Sequence, residues 1–194
     1  MRRSILAPAL LAMTLILLTC PGNAQAQYNP LSAIYDAARD ERSVSDITVD
    51  KKISTVIKAD LAKRDAKRAL SVKVYCYMRK VTLLGQLADE DLKNFAVATA
   101  KKAKGVKGVS THWETPAKND TTAADVEIAA KLRAALIGDK NISATQIESE
   151  VFSGKVYLIG MVRSQKDIDR AVAIAKGVKG VTAVESLLIP PRRK

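Results

Sequence analysis

The chain has 194 residues, 32 of them Lys or Arg against 20 Asp or Glu, a formal net charge of +12, and it is 47% hydrophobic but only 4% aromatic. At about 100 to 200 residues per domain, that length fits one ordinary domain or two small ones and excludes a large multidomain enzyme, while the apolar fraction argues against global disorder. One His, two Cys and one Trp leave little raw material for His-based, thiol-metal or haem chemistry.

Met1-Arg2-Arg3 is a short cationic start, Ile5 to Leu18 is an apolar run of 14 residues, and Ala24-Gln25-Ala26 has the small-x-small pattern that a signal peptidase reads. The pattern predicts a secretory signal over residues 1–26, cleaved after Ala26, and a periplasmic destination, soluble or peripheral on a membrane. The apolar run is shorter than the roughly 20 residues that span hydrocarbon. An anchor helix is the alternative, and Leu17-Leu18-Thr19-Cys20 resembles a lipobox in which Thr19 is a poor fit. Cleavage after Ala26 leaves 30 basic against 20 acidic residues and a single cysteine, Cys76, expected to be buried because it sits in an apolar alternation. Residues 27–48, with Pro30 near a helix start and Leu31, Ile34, Tyr35 and Ala38 on one stripe, are expected to form a linker with a short helix.

A repeat organises the rest. Sliding the chain against itself by 75 positions lays Asp50 on Asp125, Ile53 on Ile128, Ile57 on Leu132, Leu61 on Leu136, Val81 on Val156, Leu83 on Leu158 and Gly85 on Gly160. Further on, Ala103 to Val109 is identical to Ala175 to Val181, but at an offset of 72, which implies three extra residues, close to one helical turn, in the first copy. Two copies are too few for a solenoid, so the expectation is two tandem domains, at 49–115 and 123–190, joined by a linker at 116–122 and followed by a basic tail at 191–194.

Each copy has the same internal plan. Ile53, Ile57 and Leu61, like Ile128, Leu132 and Leu136, recur every four residues and describe one face of a helix, with Asp50 and Asp125 suited to its start. The period then changes to two: Val72, Val74 and Cys76 alternate, as do Val81, Leu83, Gly85 and Leu87, and in the second copy Val156, Leu158, Gly160 and Val162. Ser153-Gly154 marks a tight hairpin turn, for which Met78-Arg79 is weaker chemistry. Gly85 and Gly160 lie mid-strand, where a missing side chain admits a bulge or close packing; Gly108 and Gly180 are expected to be structural as well. A second helix begins at an N-cap such as Ser164, carries Ile168, Val172 and Ala175 on one face, and ends at Gly177, before a last strand over Val181 to Ile189 or Val109 to Thr115. The order αββαβ predicts an α+β fold: two small sandwiches, each a three-stranded sheet with two helices on one face.

An Asp-led amphipathic helix, a hairpin reading Val-x-Leu-x-Gly-x-Val, an Ala-rich helix and a closing Gly-Val-x-x-Val together resemble the BON domain of bacterial envelope proteins. The second copy, with Lys155 to Val162 and Gly180 to Val184, is the better match. The first departs by its three extra residues, by its missing turn glycine, and by His112 where the closing valine belongs. The resemblance implies a non-enzymatic envelope protein without cofactor or metal, binding anionic phospholipid and supporting envelope integrity or osmotic-stress protection, with envelope proteins as further partners. In dual-BON proteins the lipid contact is attributed to the first helix of the second copy. Carried across, the candidates are Ile128, Lys131, Leu132, Arg133 and Ile137. The rival expectation is a soluble periplasmic protein–protein adaptor or chaperone-like stress protein without lipid affinity.

The charge can be read independently. Asp50 to Thr115 holds 15 basic and 7 acidic residues, Asp120 to Lys194 12 and 9, so the excess is concentrated in the first copy. Its first helix carries Lys51, Lys52, Lys58, Lys63, Arg64, Lys67 and Arg68 around the apolar stripe, an accessory basic surface that suits a membrane, or else the solvated back of a core helix. Nucleic acid would accept such charge, but the copies lack aromatic pairs that stack bases, and export removes the usual partner. Asp89-Glu90-Asp91 is explained by the helix start that follows it, and His112-Trp113 by a strand-end aromatic that packs or docks.

Overall fold

The computed structural model describes residues 43–190. The expected signal over 1–26 with Cys20, the expected helix between Pro30 and Ala38, and the basic tail at 191–194 lie outside the described residues.

Ser43 opens the first helix, α1 (Val44–Arg64), by accepting the Asp46 N–H at 3.0 Å. A Ser cap followed by an acidic first turn is a strong start signal, so the helix begins earlier than the Asp50 expected to lead it. Asp65 breaks into extended backbone and its carboxylate accepts the Arg68 N–H at 2.9 Å, starting a one-turn helix, α2 (Ala66–Ala69). Strands β1 (Lys73–Tyr77) and β2 (Lys80–Gln86) form a hairpin, α3 (Glu90–Lys102) starts at an Asp89 cap, and β3 (Gly108–Glu114) closes the first unit. The second unit repeats the order with α4 (Thr122–Gly138), a short 3-10 turn (Ala144–Gln146), β4 (Ile147–Phe152), β5 (Lys155–Met161), α5 (Gln165–Lys176) and β6 (Ala183–Ile189). Ser164 caps α5, whose C-terminal Gly177 stays right-handed at φ −79°.

Each unit has one three-stranded sheet, ordered β1-β2-β3 or β4-β5-β6, in which the central strand runs antiparallel to its hairpin partner and parallel to the closing strand. The expected α+β architecture is the observed one.

The strand register corrects the repeat arithmetic. Lys80 pairs with Gly108, and Lys155 with Ala183, so the offset between copies is 75 at the closing strand as it is at the first helix. The glycines that adopt positive φ agree: Gly105 at 93° and Gly180 at 97° sit 75 apart, facing the equivalent Ile53 and Ile128. Lys-Gly-Val occurs twice in succession in each copy, so slipping by one unit keeps sequence identity while breaking structural equivalence. The first copy therefore has no three-residue insertion. Its closing Gly-Val-x-x-Val is Gly105 to Val109, and His112 is the counterpart of Leu187. Gly108 carries no steric demand, since a Cβ there would lie 4.0 Å from the nearest atom, whereas a Cβ on Gly160 would fall on the Gln146 carbonyl oxygen.

Ile53, Ile57, Leu61, Val74, Val81 and Leu83 fill the first core, and Ile128, Leu132, Leu136, Val156 and Leu158 the second. A third buried cluster, absent from the expected architecture, joins the units: Leu84, Tyr157 and Ile159, with Tyr75, Tyr77, Phe152 and Leu187 packed around them. These side chains occupy the sheet faces turned away from the helices, so the sheets pack against each other. At about 2 kcal/mol per fully buried apolar side chain, Leu84, Tyr157 and Ile159 alone contribute about 6 kcal/mol gross to that contact. The layers run helix, sheet, sheet, helix.

Candidate functional site

The five candidates on α4 divide. Ile128 and Leu132 belong to the core of the second unit, Leu132 with no exposed surface, so neither reaches a partner. Arg133 turns its guanidinium back onto the protein, donating to the carbonyls of Ala144 at 3.0 Å and Ile147 at 3.3 Å, where it ties the helix to the start of β4. Lys131 is exposed and pairs with Glu127 at 2.5 Å across one helical turn, an interaction worth little in water. Ile137 is 61% exposed, and so, at 64%, is Val126, which the sequence reading passed over.

Helical geometry explains the division. Residues 128, 132 and 136 mark the core side of α4; the opposite side carries Ala123, Val126, Ala130, Ala134 and Ile137, all exposed. The outer face of α4 is thus a small-residue apolar stripe with Val126 and Ile137 near its two ends, about 16 Å apart at 1.5 Å per residue. Lys131 flanks it, and Lys140 follows it in the next loop.

The seven basic residues between Lys51 and Arg68 are all exposed. Arg68 is engaged by Asp89, Lys63 meets Asp60 at 2.8 Å, and the Arg64 guanidinium stacks on Phe95 at 4.4 Å. Among the described residues, Lys51, Lys52, Lys58 and Lys67 form no ion pair. Their 75-residue counterparts on the second copy begin with Val126 for Lys51, Glu127 for Lys52 and Arg133 for Lys58. One helix position in one plan therefore presents apolar surface in one unit and charge in the other.

Between the sheets lies a polar network. Lys155 bridges Glu114 at 2.8 Å and Glu185 at 2.9 Å; the Tyr157 hydroxyl also donates to Glu114. His112 Nδ1 lies 2.8 Å from Glu185, with its ring edge-on to Tyr157. Tyr75 donates to Glu150 at 2.5 Å, and Gln86 to Ser153 at 2.6 Å. The hydrogen bond from Lys155, then that from Tyr157, holds Glu114 below the usual carboxylate range. Burial pushes Glu185 up, but Lys155 and His112 outweigh it and the net direction is down. Lys155 is raised by its bonds to Glu114, Tyr157 and Glu185, and burial followed by Glu114 pushes Tyr157 up to about 12. These groups saturate one another, so the network serves to join the units. Trp113, beside His112, packs against the first core and over Gly85.

A family model described as the BON domain matches residues 49–114 and again 124–189. Over 194 residues the chain is 29% identical to the osmotically-inducible protein Y of Escherichia coli, covering 96% of each. It is 26% identical over 143 residues to the outer membrane lipoprotein DolP of Haemophilus influenzae, covering 73% of this chain and 72% of that one. Among solved structures, the C-terminal domain of CdsD, a structural protein of the type III secretion system of Chlamydia trachomatis, matches at 13% identity and a TM-score of 0.30, over 74% of this chain and 67% of that one.

Proposed function

Because the chain belongs to the BON-domain family, with its two copies packed sheet against sheet, we propose that it is an exported, non-enzymatic envelope protein that binds anionic phospholipid surfaces through the outer face of α4. The observation that carries this is the exposed apolar stripe from Ala123 to Ile137 along one face of α4, with Val126 and Ile137 both more than half exposed. An amphipathic helix of this kind lies in the interface plane, its apolar side chains entering the headgroup boundary and flanking cations meeting anionic lipid. Of the residues the family resemblance pointed to, Lys131 and Ile137 keep that role; Val126 replaces Ile128 and Leu132, which the core consumes.

Magnitudes set the mode of attachment. Burying Val126 and Ile137 is worth about 2 kcal/mol each, and Lys131 and Lys140 near an anionic leaflet about 1 kcal/mol each. The sum of about 6 kcal/mol corresponds to a Kd on the order of tens of micromolar. That is reversible, peripheral binding, consistent with the described residues holding no helix long and apolar enough to cross a membrane. The names of the Escherichia coli and Haemophilus influenzae relatives, osmotically inducible and outer membrane lipoprotein, support placing this binding in the envelope under osmotic stress. Co-sedimentation of the mature chain with anionic and zwitterionic vesicles tests the proposal. Binding should require anionic lipid, and in a chain whose Lys51, Lys52, Lys58 and Lys67 are reversed to Glu it should fall at least tenfold on adding Val126→Asp with Ile137→Asp. Binding unchanged by that addition would refute the assignment to α4, and no pelleting at all would favour the soluble adaptor.

A further inference from the structure

The packing of the two sheets against each other points the two helical layers away from each other. The apolar face of α4 and the basic face of α1 therefore lie on opposite sides of a molecule on the order of 40 Å thick, from sheet spacings and helix diameters. A flat bilayer that receives one cannot touch the other. The excess positive charge is therefore badly placed to assist α4 on the same membrane, since the Debye length at physiological ionic strength is only about 8 Å.

We infer that the basic face of the first unit docks on a second anionic bilayer, so that one molecule bridges two membrane surfaces. This rests on the assignment of α4 to the first. Charge complementarity selects the occupant class. Residues 51–68 carry seven Lys or Arg against two acidic groups, and Lys51, Lys52, Lys58 and Lys67 form no ion pair among the described residues, although Lys51 and Lys58 line a cleft with Glu148. Exposed apolar side chains select a bilayer among anionic surfaces. Leu70, two residues after Arg68, is 76% exposed, and Val56 is 42% exposed between Lys52 and Lys58. Apolar tips set among cations suit a headgroup boundary, where both find favourable surroundings. The comparison within the chain sharpens this. The same helix position is Val126 in one unit and Lys51 in the other, so the copies offer an insertion surface and an electrostatic one.

Vesicle clustering reads the bridge directly. At a protein-to-lipid ratio well below saturation, the mature chain should both pellet with anionic vesicles and raise their light scattering at least tenfold, and about 0.5 M salt should disperse the clusters. Lys51→Glu, Lys52→Glu, Lys58→Glu and Lys67→Glu combined alter only exposed side chains, and circular dichroism confirms the fold. This variant should pellet within twofold of the parent and leave vesicles unclustered. Clustering that survives the charge reversal, for instance through dimers detected by solution mass, overturns the proposal. So does a parent chain that pellets without clustering, which would assign the basic face to an acidic protein instead. Loss of the α4 assignment is seen separately: adding Val126→Asp and Ile137→Asp to the charge-reversed chain would then leave its pelleting unchanged.

Discussion

Asp50 is the most deeply buried charged residue in either unit, at 2% exposure, and what it touches explains why it is there. Its carboxylate accepts the N–H groups of Met78 and Arg79 at 2.9 and 2.8 Å, and the Cys76 thiol lies 3.4 Å away. Met78 and Arg79 adopt φ values of 54° and 61°, the left-handed pair that a tight hairpin demands but side chains resist. Asp125 grips Ser153 and Gly154 in the same way, both at 2.8 Å. Both aspartates thus fasten helix to hairpin; Asp50 does so from well inside α1, whereas Asp125 also stands in the first turn of α4, as expected. Asp50→Ala leaves two amides without their acceptor and should cost about 3 kcal/mol in urea unfolding. Arg79→Gly should stabilise the same protein by about 1 kcal/mol by relieving the left-handed backbone. A neutral Asp50→Ala would show that the turn holds itself.

At the scale of elements, the periods were legible and the phase was not always so. Ile53, Ile57 and Leu61 identify the core side of α1 without ambiguity, because a four-residue recurrence has one solution on a helix. The tandem Lys-Gly-Val units have two, and only strand pairing and backbone φ choose between them. Glycine substitutions test the choice. Gly105→Ala and Gly180→Ala should each cost at least 1 kcal/mol, since both sit near φ 95°, whereas Gly108→Ala should lie within about 0.5 kcal/mol of the parent. A costly Gly108→Ala with a silent Gly105→Ala would restore the 72-residue offset. The candidate site was half legible for a related reason. Membership of α4 could be inferred from the family pattern, but only the core side was marked by large apolar residues. The outer stripe is mostly alanine, a residue equally at home in solvent, in a helix interior or on a membrane.

The whole molecule turns on the contact between sheets, whose sequence signal was present in the doubled Leu83-Leu84 and Leu158-Ile159. A strand apolar on both faces is covered on both, and each unit alone offered no candidate for its second cover. The polar half of that contact makes its stability pH-dependent. Glu114 and Glu185 are held below their ordinary 4.5. Their contribution is therefore complete above about pH 4.5 and is lost as pH falls through the lowered values. Lys155 and Tyr157 are raised, so their contribution is complete below the ordinary 10.5 and 10.0 and is lost as pH rises through the folded values. The contact should weaken as pH falls below about 4.5 and again as it rises above about 10. Differential scanning calorimetry should record a single transition at pH 7, resolving into two near pH 3 as the sheets part and each unit unfolds by itself. Glu114→Gln should lower the transition at pH 7 yet show a smaller drop between pH 7 and 3 than the parent, because the titrating group is gone. An unchanged acid response in that variant would locate the sensitivity elsewhere. Parting the sheets would also remove the opposition between α1 and α4, so vesicle clustering should fail at the same acidic pH at which the two transitions appear.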